Sequence, residues 1–347
     1  MNCVNCEKII YSININNNYM SRISRYQDSI ESFIKKKDID TYLNESDNKI
    51  LEEHLLKFDH LCGIIVSTIF NYNAKKTNFK GHGYFLAICI DILLIIVKLK
   101  SNYQYREKYL NLDKIIMDMT ITSYKLLVDN ISTIKNPLKS DEINKIITFS
   151  LQFYNQHIYS IVSPREISLT TKMIKNDLLN LKYINPQTNL YRKLMLMNRY
   201  NKEDMIKYIE DTYCNIGKII FVLGWGLGGG SLSDKTIYGS LNSIGYKLGL
   251  IYAISNDFDT IEKDILNLDP KTKTTKNIVI NLGIQESFQL YMENKSSFIE
   301  ECMKLNLFTH TLKEVVDLFE EKIDKCLEQS TVDMKSTYSS FSDAKKS

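Results

Sequence analysis

The chain has 347 residues, 44% hydrophobic and 24% charged, with 44 Lys and Arg against 41 Asp and Glu for a formal net charge of +3. That length accommodates one large core, and the ordinary globular composition excludes a disordered chain. Nearly balanced, scattered charge also excludes the basic footprint of a nucleic-acid partner.

Taken in chain order, residues 1–20 read as a loose N-terminal segment. Cys3-Val-Asn-Cys6 has the spacing of half a zinc site, but no second CxxC or HxxxH supplies the other ligands. The seven cysteines (Cys3, Cys6, Cys62, Cys89, Cys214, Cys302, Cys326) are odd in number and irregular in spacing. With no secretory segment before them, a reducing, cytoplasmic compartment is expected rather than a disulfide framework.

Apolar residues from Ile50 to Ile65 recur at helical spacing, and Pro (4) and Gly (13) are scarce, so helices dominate. Helices are expected near 22–36, 83–99, 107–134, 140–162, 165–183, 202–223, 234–268, 275–305 and 309–328. The apolar run Tyr84 to Val97 is interrupted by Asp91 and is shorter than the ~18 to 20 residues that span a bilayer. It predicts a buried core helix and no transmembrane segment. Ser163-Pro164-Arg165-Glu166 predicts a helix start: a capping Ser, Pro at the first helical position, and Glu three residues after the cap. Asn185-Pro186-Gln187 marks a turn, and 330–347 is a polar tail. The simplest organisation is one helical domain over 21–329.

Gly224-Trp-Gly-Leu-Gly-Gly-Gly230 contains G-x-G-x-x-G after an apolar run, with Asp257 downstream as a candidate ribose ligand. The apolar run, however, continues backward at helical spacing through Met205, Ile209, Tyr213 and Ile216, and no other βα unit is visible. The alternative is a glycine break between two packed helices.

The segment Gly245 to Asp264 is an apolar helix face that gives way to oxygen-bearing residues. If helical, Asn256, Thr260 and Asp264 share one face, with Asp257 beside them. Hard oxygen donors gathered this way suit Mg²⁺, which bridges to substrate phosphates and keeps several of its waters. A solvated helix end is the plainer alternative.

This segment resembles the second aspartate-rich region of the trans-isoprenyl diphosphate synthases, where a small-residue-rich helix runs into Asp-Asp-x-x-Asp; here the stretch is Asn256-Asp257-Phe258-Asp259-Thr260. The downstream order is also similar: a Lys/Thr-rich linker (Lys271 to Lys276), Asn281-Leu-Gly-Ile-Gln-Glu-Ser287 opening a long helix, and a terminal helix from Leu312 to Ile323. Upstream, Leu126-Leu-Val-Asp-Asn-Ile-Ser-Thr133 is the best match to the first aspartate-rich region, and Lys80-Gly-His-Gly83 lies roughly where the family has Gly-Gly-Lys-Arg. Both acidic motifs have fewer carboxylates than the family's, the Arg pair that binds the homoallylic diphosphate is not visible, and Asp211-Thr212 stands at the family's Lys-Thr.

The resemblance implies an all-α isoprenoid-synthase-type bundle around a central apolar cavity, in which helices bearing Asp129 and Asn256 to Asp264 face one another. It implies Mg²⁺ as cofactor, held by Asp129, Asn130, Asn256, Asp257, Thr260 and Asp264, with Asp129 and Asp257 catalytic. It also implies an allylic isoprenyl diphosphate as substrate, Lys271, Lys273 and Lys276 as a basic lid, Tyr252 lining the cavity, and a homodimer. Prenyl transfer with chain elongation is the activity implied first. Asn256, Thr260 and Asp264 are also similar to the metal triad of class I terpene cyclases, which share the fold and need no second diphosphate site. A helical protein that keeps the fold without catalysis is the third alternative. Divergent members of the family are encoded by large AT-rich DNA viruses, whose coding bias the Asn, Ile, Lys and Tyr content matches; a viral chain implies the host cytoplasm.

Overall fold

Helical periodicity is what the chain realises. The computed structural model describes residues 23–36, 45–77, 81–134, 140–170 and 176–330, and these are all-α apart from short extended pairs. The segment 1–20 with Cys3 and Cys6, Lys80, and the tail after Ser330 lie outside the described residues. The elements are α1 (23–36), α2 (Glu45–Leu55), α3 (Leu61–Thr77), α4 (Tyr84–Ser101), α5 (Tyr103–Lys108), α6 (Leu112–Ser132) and α7 (Ser140–Val162). A two-residue antiparallel pair, β1 (Leu169–Thr170) with β2 (Arg199–Tyr200), brackets α8 (Asn189–Met195). Then come α9 (Lys202–Ile209), a π-helical turn (Glu210–Cys214), α10 (Asn215–Leu227), α11 (Lys235–Asp259), α12 (Ile261–Leu266), α13 (Ile278–Leu282), α14 (Ile284–Lys304) and α15 (His310–Glu328).

The run Tyr84 to Val97 forms most of α4, buried nearly all round between α3, α6, α7 and α10. No helix of the described residues is long and apolar enough to cross a membrane. Asp91 interrupts the apolar run because it has a buried partner: its Oδ2 lies 2.7 Å from Nδ1 of His60. His60 has φ 55° and stands at an elbow between α2 and α3. The Ile50 to Ile65 periodicity therefore spans two helices instead of one, and the elbow swings Lys57, Phe58 and Asp59 toward a cleft between the ends of α4 and α11.

The glycines make close helix crossings. A Cβ at Gly217 of α10 would meet the carbonyl oxygen of Gly245 at 2.0 Å, and one at Gly249 would meet Cα of Cys214 at 2.3 Å. Backbone thus packs on backbone where α10 crosses α11, a contact any side chain would wedge apart. Gly224-Trp-Gly-Leu-Gly-Gly-Gly230 ends α10 and breaks the chain before α11, with Gly229 at φ 89°. A Cβ at Gly228 would strike the Phe70 carbonyl oxygen at 2.6 Å. No parallel sheet flanks the motif among the described residues, so the helix-break alternative holds and the dinucleotide fingerprint does not.

Among the described residues of 165–183 the expected helix is not formed; they carry β1 and, at Asn176–Asn180, a 3₁₀ turn. Arg165 explains its start. Its amide donates to Asp211 Oδ2 at 3.0 Å, and Nε and Nη2 reach the same carboxylate at 2.7 Å each. A long-range bidentate ion pair thus overrides a local capping signal. The Asn185 turn forms as expected, its side chain accepting from the Gln187 amide at 3.0 Å.

A cleft between a basic and an acidic wall

One cleft, with a volume of about 530 Å³, gathers residues from both ends of the chain. Its first wall is the C-terminal turn of α4 with α5, presenting Lys98, Lys100, Ser101, Asn102 and Arg106. The opposite wall is the end of α11, α12 and the following loop, presenting Asn256, Asp257, Thr260, Asp264, Lys276 and Asn277. Between them lie Phe58, Leu94, Tyr208, Ile209, Tyr213 and Tyr252. The π-helical turn helps set this face: a π turn shifts the residues after it around the helix axis, and Tyr213 sits within it.

On the acidic wall the break at Thr260 folds Asp264 back beside Asp257. Asp264 Oδ2 accepts from the Thr260 hydroxyl at 2.7 Å and the Asn277 amide at 2.8 Å. Asp257 Oδ2 accepts from the Ile278 amide at 2.6 Å, and Asn277 also donates to the Asp257 carbonyl at 2.7 Å. Burial, reinforced by the neighbouring Asp264, pushes the Asp257 carboxyl well above the usual range, and burial also raises Asp264. Both shifts favour the protonated form, and a divalent ion bound there would act in the opposite direction.

Asn256 takes a different partner. Its Oδ1 accepts from Lys322 Nζ at 2.7 Å, and the same ammonium lies 3.3 Å from Asp59. Its neighbour Tyr252 is buried, packed edge-on against Phe319 with ring centroids 5.6 Å apart. Of the expected metal ligands, the structure therefore brings Asp257, Thr260 and Asp264 together, with Asn256 held by an ammonium beside them.

Asp129 and Asn130 do not join them. Asn130 is buried and its Oδ1 accepts from the Leu86 amide at 3.1 Å, in the first turn of α4, whereas the cleft takes α4 only from Leu94 onward. At 1.5 Å rise per residue, Leu86 and Lys98 are about 18 Å apart along that helix. Asp129 and Asn130 thus lie outside this cleft, to which the end of α4 contributes Lys98 and Lys100 and the end of α11 contributes Asn256 and Asp257. Within the described residues there is no group of three or more His, Cys, Asp or Glu side chains placed to hold a metal. Asp257 and Asp264 form a two-carboxylate donor set, which fits a Mg²⁺ that takes its remaining ligands from water and a bound phosphate.

The cations of the first wall, Lys98, Lys100 and Arg106, were not singled out from the sequence, whereas Lys276 on the opposite wall was. Lys98, Arg106 and Lys276 have no carboxylate partner in ion-pair contact among the described residues. Lys276 lies over the Tyr208 ring, Nζ to centroid 4.6 Å, and Lys100 donates to the Val162 carbonyl. Burial, then the charges of Arg106 and Lys100, push the Lys276 ammonium down to about 8. Burial lowers Lys100 as well, against Asp113, and Arg106 adds to the shift. Lys98 is lowered by burial and then by Lys263. Lys98, Lys100, Arg106 and Lys276 line one cleft, and such a gathering of cations describes a surface complementary to an anion. The one sequence signal was Lys98 and Lys100 immediately after a buried apolar run.

Of the three lid lysines, Lys276 lines the cleft; Lys271 and Lys273 are exposed and do not. Their loop is a tight turn around Asp269, whose Oδ1 accepts from the Lys271 amide at 2.8 Å, with Lys273 at φ 53°. Asp211, standing where the family has Lys, does not face the cleft. Burial alone would raise its carboxyl, but Arg165 outweighs burial and holds it below the usual range. No known family model matches the chain, and no curated protein matches it.

Proposed function

We propose that the chain binds the diphosphate of an allylic isoprenoid in this cleft, within an isoprenoid-synthase-type bundle. The observation that carries the reading is the convergence of Lys98, Lys100, Arg106 and Lys276 on one cleft, with Lys98, Arg106 and Lys276 lacking carboxylate partners among the described residues. A diphosphate supplies the missing negative charge, and guanidinium and ammonium donors hold it by charge-assisted hydrogen bonds. The isoprenoid part rests on the resemblance of Asn256 to Asp264 and the helices after it, and on the surface of Phe58, Leu94, Tyr208, Tyr213 and Tyr252 against which a prenyl chain would lie. Titration calorimetry with geranyl, farnesyl and geranylgeranyl diphosphate tests it. Saturable binding that Arg106→Gln weakens at least tenfold is expected, and no binding of any chain length overturns it.

A second reading, prenyl transfer or cyclisation, is favoured by the Asp257 and Asp264 pair. Mg²⁺ held there would neutralise diphosphate charge and stabilise it as a leaving group. Asp257 and Asp264 would hold the ion, while the α4 and α5 cations orient the diphosphate from the other side. Incubation with Mg²⁺ and each diphosphate, with and without isopentenyl diphosphate, separates the outcomes by mass spectrometry. A longer diphosphate identifies transfer, and a hydrocarbon or alcohol without isopentenyl diphosphate identifies cyclisation. Binding without product leaves a fold kept for binding alone.

A further inference from the structure

Asn256 and Asp59 both line the cleft, and they meet around a cation that belongs to the chain. Lys322 Nζ, from α15, donates to Asn256 Oδ1 at 2.7 Å and lies 3.3 Å from Asp59 Oδ2. Each partner is fixed independently. Ser255 Oγ donates to the Phe319 carbonyl at 2.8 Å, and Tyr252 packs edge-on against the Phe319 ring, so the register of α15 on α11 is set one turn before Lys322. Asp59 Oδ1 accepts from the Leu61 amide at 3.3 Å, and the Asp59 carbonyl accepts from Gln27 Nε2 at 2.8 Å. One ammonium thus joins the α2–α3 elbow to the end of α11 through two hard oxygens, the connection that a bridging metal ion makes. The neighbouring pair differs: Asp257 and Asp264 accept from N–H and O–H donors and, among the described residues, have no ammonium or guanidinium in ion-pair contact.

We infer that Lys322 is a tethered cation standing where a divalent ion would otherwise bind Asn256 and Asp59, which leaves the cleft one ion, at Asp257 and Asp264. The inference rests on the reading of Asp257 and Asp264 as an ion site and deepens it by fixing the number of ions. Charge and distance carry it. The contacts of Lys322 are N–H···O distances, longer than the roughly 2.1 Å at which Mg²⁺ holds oxygen, so the two oxygens cannot serve both cations at once. A cation carried on α15 is also always at high local concentration, and a free ion competes poorly with it for the same donors.

The test counts Mn²⁺ bound to the full chain by electron paramagnetic resonance. Wild type is expected to take one ion, lost in Asp264→Asn. Lys322→Ala is expected to take one ion more than wild type, a gain that persists when Asp264→Asn is added and disappears when Asp59→Asn is added. Asn256→Asp examines the same point with the ammonium in place: the new carboxylate pairs with Lys322, so the ion count should stay at the wild-type value and the melting temperature should rise. This variant decides the matter if Lys322→Ala does not fold. No ion gained by a folded Lys322→Ala chain, or an ion gained or a lower melting temperature in Asn256→Asp, overturns the inference. The two readings fail separately: wild type without any ion removes the Asp257 and Asp264 site while a gain in Lys322→Ala still stands, and no gain removes the role of Lys322 while the wild-type ion stays.

Discussion

The two walls of the cleft carry charge in different ways. On the acidic wall the carboxylates are built into the fold: Asp264 is bonded to Thr260 and Asn277, and Asp257 to the amide that begins α13. On the basic wall Lys98 and Arg106 hold no carboxylate of the described residues in an ion pair. A charge committed to structure and a charge left for a ligand have opposite mutational signatures. Removing the first lowers stability, and removing the second lowers affinity.

The largest expected effect is therefore charge reversal on the basic wall. Arg106→Glu should weaken farnesyl diphosphate binding about 100-fold, roughly 3 kcal/mol, while the urea midpoint barely moves. A large loss of stability instead would put Arg106 in the structural class and break the contrast. Asn277→Ala should do the reverse. It strips the donor that holds Asp264 and the Asp257 carbonyl, and a cost of about 2 kcal/mol is expected in urea unfolding.

Smaller effects come from pH. The Asp257 and Asp264 carboxyls are raised in the folded chain. They bind protons more tightly folded than unfolded, so their contribution is present below the ordinary carboxylate range and is lost as pH rises through the folded values. The stability difference between wild type and Asp264→Asn should therefore grow in favour of the variant from pH 5 to pH 8. Mg²⁺ should raise the melting temperature of the wild type more at pH 8 than at pH 5.5, and an equal shift at both would deny the ion this site. The smallest effect is expected at Asp129→Asn, which should leave diphosphate affinity within about twofold, as its place on α6, beside the first turn of α4 and outside the cleft lining, requires; a tenfold loss would restore the Asp129 helix to the site.

The cleft also shows what kind of information is local. Asn256, Asp257, Thr260 and Asp264 share a short stretch, and the helix break at Thr260, rather than continuous helical spacing, sets Asp264 beside Asp257 and Thr260. Asn256 escapes the pattern because Lys322, from the last helix, holds it instead. Asp129 matches by motif and interval, but interval does not report which end of a helix faces a cleft. Ser163 to Glu166 has sound capping chemistry for a helix start, and a carboxylate 46 residues away takes the Arg165 amide and guanidinium together.

The sequence by itself determined that the described chain is helical, because low Pro and Gly and apolar residues at three- and four-residue spacing leave few other ways to bury the core. It also placed the α4 core helix, the glycine break after α10 and the acidic end of α11, all properties of contiguous segments. Only the tertiary structure decided that the ends of α4 and α11 line one cleft, that Lys98, Lys100, Arg106 and Lys276 gather there, and that His60 joins Asp91 in the interior. Those depend on which helix ends meet. Such meetings are fixed by close backbone crossings such as Gly217 on Gly245, whose partners lie too far apart in the chain for any local pattern to encode.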